Sequence, residues 1–243
     1  MSRRFFTFDE RPELRGRGGH LRVAWPPFML ESAISNERWH LLYERFGGSQ
    51  FWLVDEDTDV VLAEGNSLPA RLDLDTLPDR GWEHVVEHAT SGEEAPTLVS
   101  AIQVLVDPTL HGGGLSSLML AEMRRIAAAA GYRDLVAPVR PNRKSLYPLT
   151  PMERYVAWTA ADGLPFDPWM RVHARAGATI TKVCPESMVI SGSVEDWEGW
   201  TGMRFPESGR YAVPGALEPV ELDAEADLGV YVEPNVWMHH RIG

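Results

Sequence analysis

Apolar positions along the chain fall into two rhythms, one of helical turns and one of near-continuous runs. In SAISNERWHLLYERF (32–46), Ile34, Trp39, Leu42 and Phe46 fall on one helical face, so the spacing predicts a helix. Ser35 or Asn36 is placed to cap it, and Gly47-Gly48 to stop it. QFWLVDEDTDVVLAEGNS reads as two strands, 50–55 and 59–65, around an acidic turn. DRGWEHVVEHATS (79–91) predicts a shorter helix capped by Asp79. TLVSAIQVLV (97–106) is nearly all apolar, the pattern of a strand buried on both faces, and Pro108 ends it. Leu115, Leu118, Met119, Met123, Ile126, Ala127 and Ala130 then return to helical spacing, closed by Gly131. RDLVAPV (133–139) is a second buried strand, so strand, helix and strand make a crossover on a central sheet.

The remainder is less regular. Residues 1–31 carry no clear period. PMERYVAWTAADG reads as one helix with Pro151 in its first turn. FDPWMRVHARAGA reads as another, with Asp167 as N-cap, Pro168 at the first position and Gly177 as the stop. TITKVC and SMVISGSV suggest a strand pair around Pro185-Glu186, EDWEGWTGM a short helix, and GRYAVPGALEPVELD and LGVYVEPNVWMHH further strands. No repeat or Gly/Ser linker divides residues 1–243, so one elaborated domain is expected.

Charge narrows the function classes. Acids outnumber bases 35 to 23, a net charge of −12, which argues against a general nucleic-acid surface and weakly favours cationic substrates such as amines. No run is long and apolar enough to cross a membrane, and the N-terminus lacks the apolar stretch of a secretory signal. Cys184 is the only cysteine, which fits a reducing cytoplasm, and its apolar run makes it a core residue.

The chemistry concentrates in VLVDPTLHGGGLSSLML. A glycine loop between a buried strand and a helix start lets an anion reach several free amides at once. Gly112, Gly113, Gly114, Leu115 and Ser116 supply those donors, and Ser116 or Ser117 adds a hydroxyl. No Lys-Ser/Thr follows the last glycine, as a P-loop needs, and the dinucleotide fingerprint is one glycine short.

This stretch resembles the acyl-CoA-binding motif of the GNAT superfamily of N-acyltransferases. His111 stands where that motif has Arg or Gln, Gly114 at its first required glycine and Ser116 at its final small residue. The order of elements matches over 28–192; the leading residues, the proline-rich 143–166 and the β-rich 193–243 lie outside the match. The resemblance implies a mixed α/β fold: a central, mostly antiparallel twisted sheet with a V-shaped split between two parallel strands, flanking helices and a β-rich C-terminal extension. It implies that an acyl-CoA, most simply acetyl-CoA, is co-substrate, with its pyrophosphate on the loop amides and its pantetheine beside Leu105 and Val106. No metal is implied. The expected activity is acetyl transfer by direct attack of a small amine or amino-acid-like acceptor. A non-catalytic acyl-CoA sensor and an acyl-thioester decarboxylase are the alternatives on the same fold.

Asn142 looks like the family's asparagine after the second strand, and aligning HARAGA with the family's Y-E-K-L-G-F puts His173 at the acidic tyrosine. An imidazole of ordinary pKa, about 6.5, suits protonation of a leaving thiolate. Tyr147 and Tyr155 are rival acids; Glu31, Glu64 and Gln103, the last only able to orient water, are candidates for the base side. Arg140, Arg143 and Lys144 form a basic cluster that either meets the 3′-phosphate of CoA or lies idle on the surface. His84 and His88 have a metal-ligand spacing but no third ligand, and with Glu83 and Glu87 they read as a solvated helix face; His239-His240 reads as a surface pair. Trp158, Phe166 and Trp169 either shape an acceptor pocket or fill core, and the C-terminal aromatics either pack beside them or form a homodimer face.

Overall fold

The computed structural model describes residues 2–92 and 94–242; Met1, Glu93 and Gly243 lie outside the described residues. One sheet is built from nine strands: β1 (Arg3–Thr7), β2 (Gln50–Asp55), β3 (Val60–Ala70), β4 (Leu98–Val106), β5 (Asp134–Val139), β6 (Thr179–Gly192), β7 (Gly209–Tyr211), β8 (Val220–Asp223) and β9 (Leu228–Arg241). Strand order is β1-β2-β3-β4-β5-β9-β8-β7, with β6 paired to β9 off this path. Every pairing is antiparallel except β4 with β5. That parallel contact holds only at Val99–Leu135 and Ser100–Val136, after which the two strands separate into a V.

The helices are α1 (Ala33–Phe46), α2 (Gly81–Ser91), α3 (Leu115–Ala129), α4 (Met152–Val156), α5 (Pro168–Arg175) and α6 (Val194–Thr201). Strand alternation sends side chains into two cores. Trp52 and Val54 join Leu42, Tyr43 and Val85 on the α1–α2 face, while Phe51 and Leu53 join Met119 and Met123 on the α3 face. This is why β2 reads as a continuous apolar run. A third core holds Met152, Tyr155 and Met170 against Val236 and Met238 of β9.

Several local expectations are corrected. Ser32, not Ser35 or Asn36, caps α1, accepting from the amide of Ser35 at 3.2 Å. Asp79 does not cap α2; its carboxylate takes Lys182 at 2.5 Å and Arg80 occupies the cap position. PMERYVAWTAADG is helical only over Met152–Val156, because a turn at Gly163 (φ +76°) folds Thr159 back against Pro165. TITKVC and SMVISGSV are one long strand rather than a pair. Pro185 has no N–H to give the ladder, and the register with β9 shifts between Cys184 and Met188. Cys184 is fully buried, as its apolar run predicts.

Asp167 caps α5 as expected, accepting from the amides of Trp169 and Met170 at 2.9 and 3.2 Å. The same carboxylate accepts from the Arg143 amide at 2.8 Å and the Tyr155 hydroxyl at 2.9 Å, tying 143–155 to α5. Asp167→Ala strands these buried donors, and we expect it to cost about 2 kcal/mol. A lower urea midpoint at unchanged slope would register that loss.

Candidate active site

The V opens into a cavity of about 1260 Å³. The β4 residues Ala101–Val106 form one wall and the β5 residues Ala137–Val139 the other. The loop after β4 closes one end, α5 one side, and the irregular segment 19–31 with α1 the far end.

The loop explains its three glycines. Gly112 and Gly114 have φ of +83° and +77°, which side chains with a Cβ rarely adopt. Gly113 has no such angle; a Cβ there would stand 3.2 Å from the Leu110 carbonyl oxygen, which accepts the Gly113 amide. The helix α3 begins at Gly114 with no side chain capping it. Its first amides therefore face open space, and a Cβ on Gly112 or Gly114 would meet nothing within 4 Å. The arrangement is a cradle with the geometry and polarity to take a diphosphate.

Leu105, Val106, His111, Gly112, Gly114, Leu115, Ser116, Ser117, Asn142 and Arg143 all line the cavity, with Gln103 and His173. Gly113 shares the turn without lining it. Glu31 is exposed at the end of a 3-10 turn, and it and Tyr147 are both outside the lining. Tyr147 packs edge-on against Trp158, ring centres 5.0 Å apart, and Trp158 and Phe166 fill the same aromatic cluster. Of the expected pocket aromatics, Trp169 reaches the cavity. Burial and the neighbouring Asp167 push the Tyr155 hydroxyl far above its ordinary value, since it spends its proton on that carboxylate.

Glu64 and Glu233 are buried carboxylates of the cavity, and Glu233 is already paired with Arg140. Glu64 accepts from the Tyr43 hydroxyl at 2.9 Å, and Asn66 donates to that hydroxyl at 3.3 Å. Gln103 donates to Asn66 at 3.0 Å, and Trp25 donates to Gln103 at 3.2 Å. Gln103 on the central strand is thus held by the fold rather than free to orient water. Burial raises the Glu64 pKa, with the Tyr43 hydrogen bond working against that shift. The Cβ that Gly18 lacks would stand 3.0 Å from Glu64 Oε2, so the absence of a side chain there leaves room for the carboxylate.

His173 is also buried at the cavity wall, its Nδ1 2.8 Å from Nε2 of His240. Burial pushes it down to about 3, so it is a neutral imidazole at physiological pH. The expectation of an ordinary pKa is corrected, and with it the notion of a strong proton donor. His240 is buried and His239 bonds Asp134 at 2.8 Å, so this is no surface pair. The basic cluster also divides. Arg140 donates to Glu233 at 2.8 Å, Lys144 is wholly buried with Nζ donating to the carbonyl of Leu217, and Arg143 lines the cavity beside Arg140 but, among the described residues, has no ion pair. His84 and His88 stack at 3.8 Å, and among the described residues no group of three His, Cys, Asp or Glu is placed to hold a metal.

Glu233, Asn235 and Asn66 escaped the sequence reading. Glu233 and Asn235 are polar residues inside an otherwise apolar strand run, a signal that was available, whereas Asn66 stands among Glu64, Gly65 and Ser67 and gave none.

A split sheet with an uncapped glycine loop at the mouth of the split is the architecture of a protein that holds a phosphate-bearing ligand in the split. The chain is 33% identical to the arginine N-acetyltransferase avaD of Aspergillus versicolor, over 90% of this chain and 85% of that protein. No family model matches. The fold is similar to the loading GNATL domain of CurA from Lyngbya majuscula (TM-score 0.67, 19% identity, 100% of this chain and 98% of that one). It is also similar to the GphF GNAT-like decarboxylase in complex with isobutyryl-CoA (TM-score 0.60, 15% identity, 100% of each chain). The chain belongs to the GNAT superfamily of acyl-CoA-dependent N-acyltransferases. It is an enzyme whose co-substrate is an acyl-CoA. Among the described residues no helix is long and apolar enough to cross a membrane.

Proposed function

We propose that the enzyme transfers an acetyl group from acetyl-CoA to the nitrogen of a small amine of amino-acid type, by direct attack on the thioester. The observation that carries this reading is Glu64, a buried carboxylate of raised pKa in the same cavity as the glycine loop. A relative named for arginine N-acetylation supports an amino-acid acceptor.

The loop amides from Gly112 to Ser116 grip the pyrophosphate, Ser117 and Arg143 add polar contacts at that end, and the pantetheine lies along Leu105 and Val106 with Asn142 opposite. At the far end the acceptor arrives as an ammonium. Glu64 takes the proton the ammonium must lose before its nitrogen can attack. The N–C bond then forms, the C–S bond breaks, and the second proton leaves the nitrogen with the departing sulfur. His173, neutral, serves this sulfur as a hydrogen-bond donor and not as an acid. Glu31 and Tyr147 take no part, and Gln103 acts by holding Asn66.

The test is a mass-spectrometric assay with acetyl-CoA and a panel of amino acids and amines, arginine included. We expect a product heavier by one acetyl group and release of CoA only when an acceptor is present. Tight acyl-CoA binding without product, or carbon dioxide from malonyl-CoA without an acceptor, would replace this reading with a sensor or a decarboxylase.

A further inference from the structure

The paired imidazoles of His173 and His240 leave two nitrogens buried without a partner, His173 Nε2 and His240 Nδ1. A neutral imidazole carries one N–H and one lone pair, so the single hydrogen bond between the rings has two solutions. In one, His173 donates from Nδ1. Its Nε2 is then bare, and His240 must carry its proton on Nδ1 as an orphaned donor in the interior. In the other, His240 donates from Nε2. Its Nδ1 is then a bare lone pair, and His173, which lines the cavity, carries its proton on Nε2.

Two observations choose between them. Each solution leaves one N–H and one lone pair unmatched, and because the orphaned N–H is the costlier of the two, the choice turns on where it falls. The second solution puts its one unpaired donor on His173, a residue that lines the cavity, although the Nε2 atom itself is buried. The positive charge of Arg124 also acts on His240, and Arg124 Nε–H is itself buried without a partner. Such a cation favours a lone pair on His240 Nδ1 over an N–H dipole there. Burial holds both rings neutral, pushing His240 down to about 4 as it does His173 to about 3, so neither solution is bypassed by a shared extra proton.

We propose that His240 is a positioning residue: it holds His173 as the Nε2–H tautomer, so that this N–H is presented to the departing sulfur of the acyl thioester. No proton is transferred along the pair; the hydrogen bond stabilises developing charge on sulfur while the Nε2 proton stays on His173. This rests on the reading that places the thioester beside His173.

Long-range proton–nitrogen spectra of the wild-type enzyme with ¹⁵N-labelled histidine report the tautomer directly. The Nε2–H pattern is expected for His173, and the Nδ1–H pattern would overturn the proposal. In turnover, His240→Leu is expected to lower kcat about tenfold, the scale of an outer-shell loss, at unchanged KM for acetyl-CoA. His240→Gln, which keeps an amide near the site of Nε2, is expected to restore most of it. Unchanged kcat in His240→Leu, or equal losses in both variants with a parallel drop in Tm, would reduce His240 to a packing residue. Should His240→Leu not fold, the wild-type spectra still decide. If the Nε2–H tautomer is present but no amine is acetylated, the assignment of function fails while the tautomer stands.

Discussion

Glu64→Gln is expected to lower kcat by a factor of about 10²–10⁴, the usual worth of a positioned general base, with acetyl-CoA affinity unchanged. The amide can still accept from Tyr43, so the chain through Asn66 and Gln103 survives and only proton acceptance is lost. The pH profile follows from the direction of the shift. Because burial raises the Glu64 pKa, the working carboxylate is lost as pH falls through a value above the ordinary carboxylate range. The kcat/KM of the wild type should therefore decline on the acid side earlier than an exposed glutamate would dictate, and Glu64→Gln should lack that limb. Linkage gives a companion result. A carboxylate whose folded pKa lies above its unfolded one disfavours the folded state once pH exceeds both, so Glu64→Gln should be at least as stable as wild type at neutral pH. A variant that is slow because it is misfolded would show the reverse. Full activity in Glu64→Gln would remove this residue from the chemistry.

Gly114→Val should weaken acetyl-CoA binding about 100-fold, read by calorimetry or as a raised KM, because the left-handed angle costs an L-residue about 1–2 kcal/mol, more when β-branched, and the anion-binding amides are lost with it. The space around Gly114 is open, so nothing is crowded by the new side chain. The penalty is carried by the backbone at φ +77°. The chain must either keep the strained turn or abandon it, and abandoning it swings the first amides of α3 away from the cavity. Gly113→Ala is the informative companion. Gly113 has no positive φ, and its new Cβ needs only a few tenths of an ångström from the Leu110 carbonyl. Equal damage from both substitutions would mean that crowding, not the angle, governs the loop.

What could be read from the chain in advance was what local chemistry decides. The glycine run with the buried strands on either side, and separately the cap at Asp167, are each local in sequence, and their geometry follows from φ preferences and unpaired amides. The site's far end was not legible in the same way. Three carboxylate or amide candidates for the base side stood level until the segment 19–31 folded over Glu64 and left Glu31 outside. Arg140 and Lys144 look like a surface cluster because their partners, Glu233 and the Leu217 carbonyl, are 93 and 73 residues away. The same distance hid His240, which pairs with a residue 67 positions earlier and becomes a buried imidazole only when β9 enters the sheet.

That late entry bears on biosynthesis. β5, one wall of the V, takes β9 as its antiparallel neighbour, and Asp134 meets Arg241 across 107 positions. During translation this flank of the cleft stands as a naked strand edge until residues 228–241 have emerged. The glycine loop is made well before the cavity has its second wall braced, and that interval is when a chaperone would be needed most.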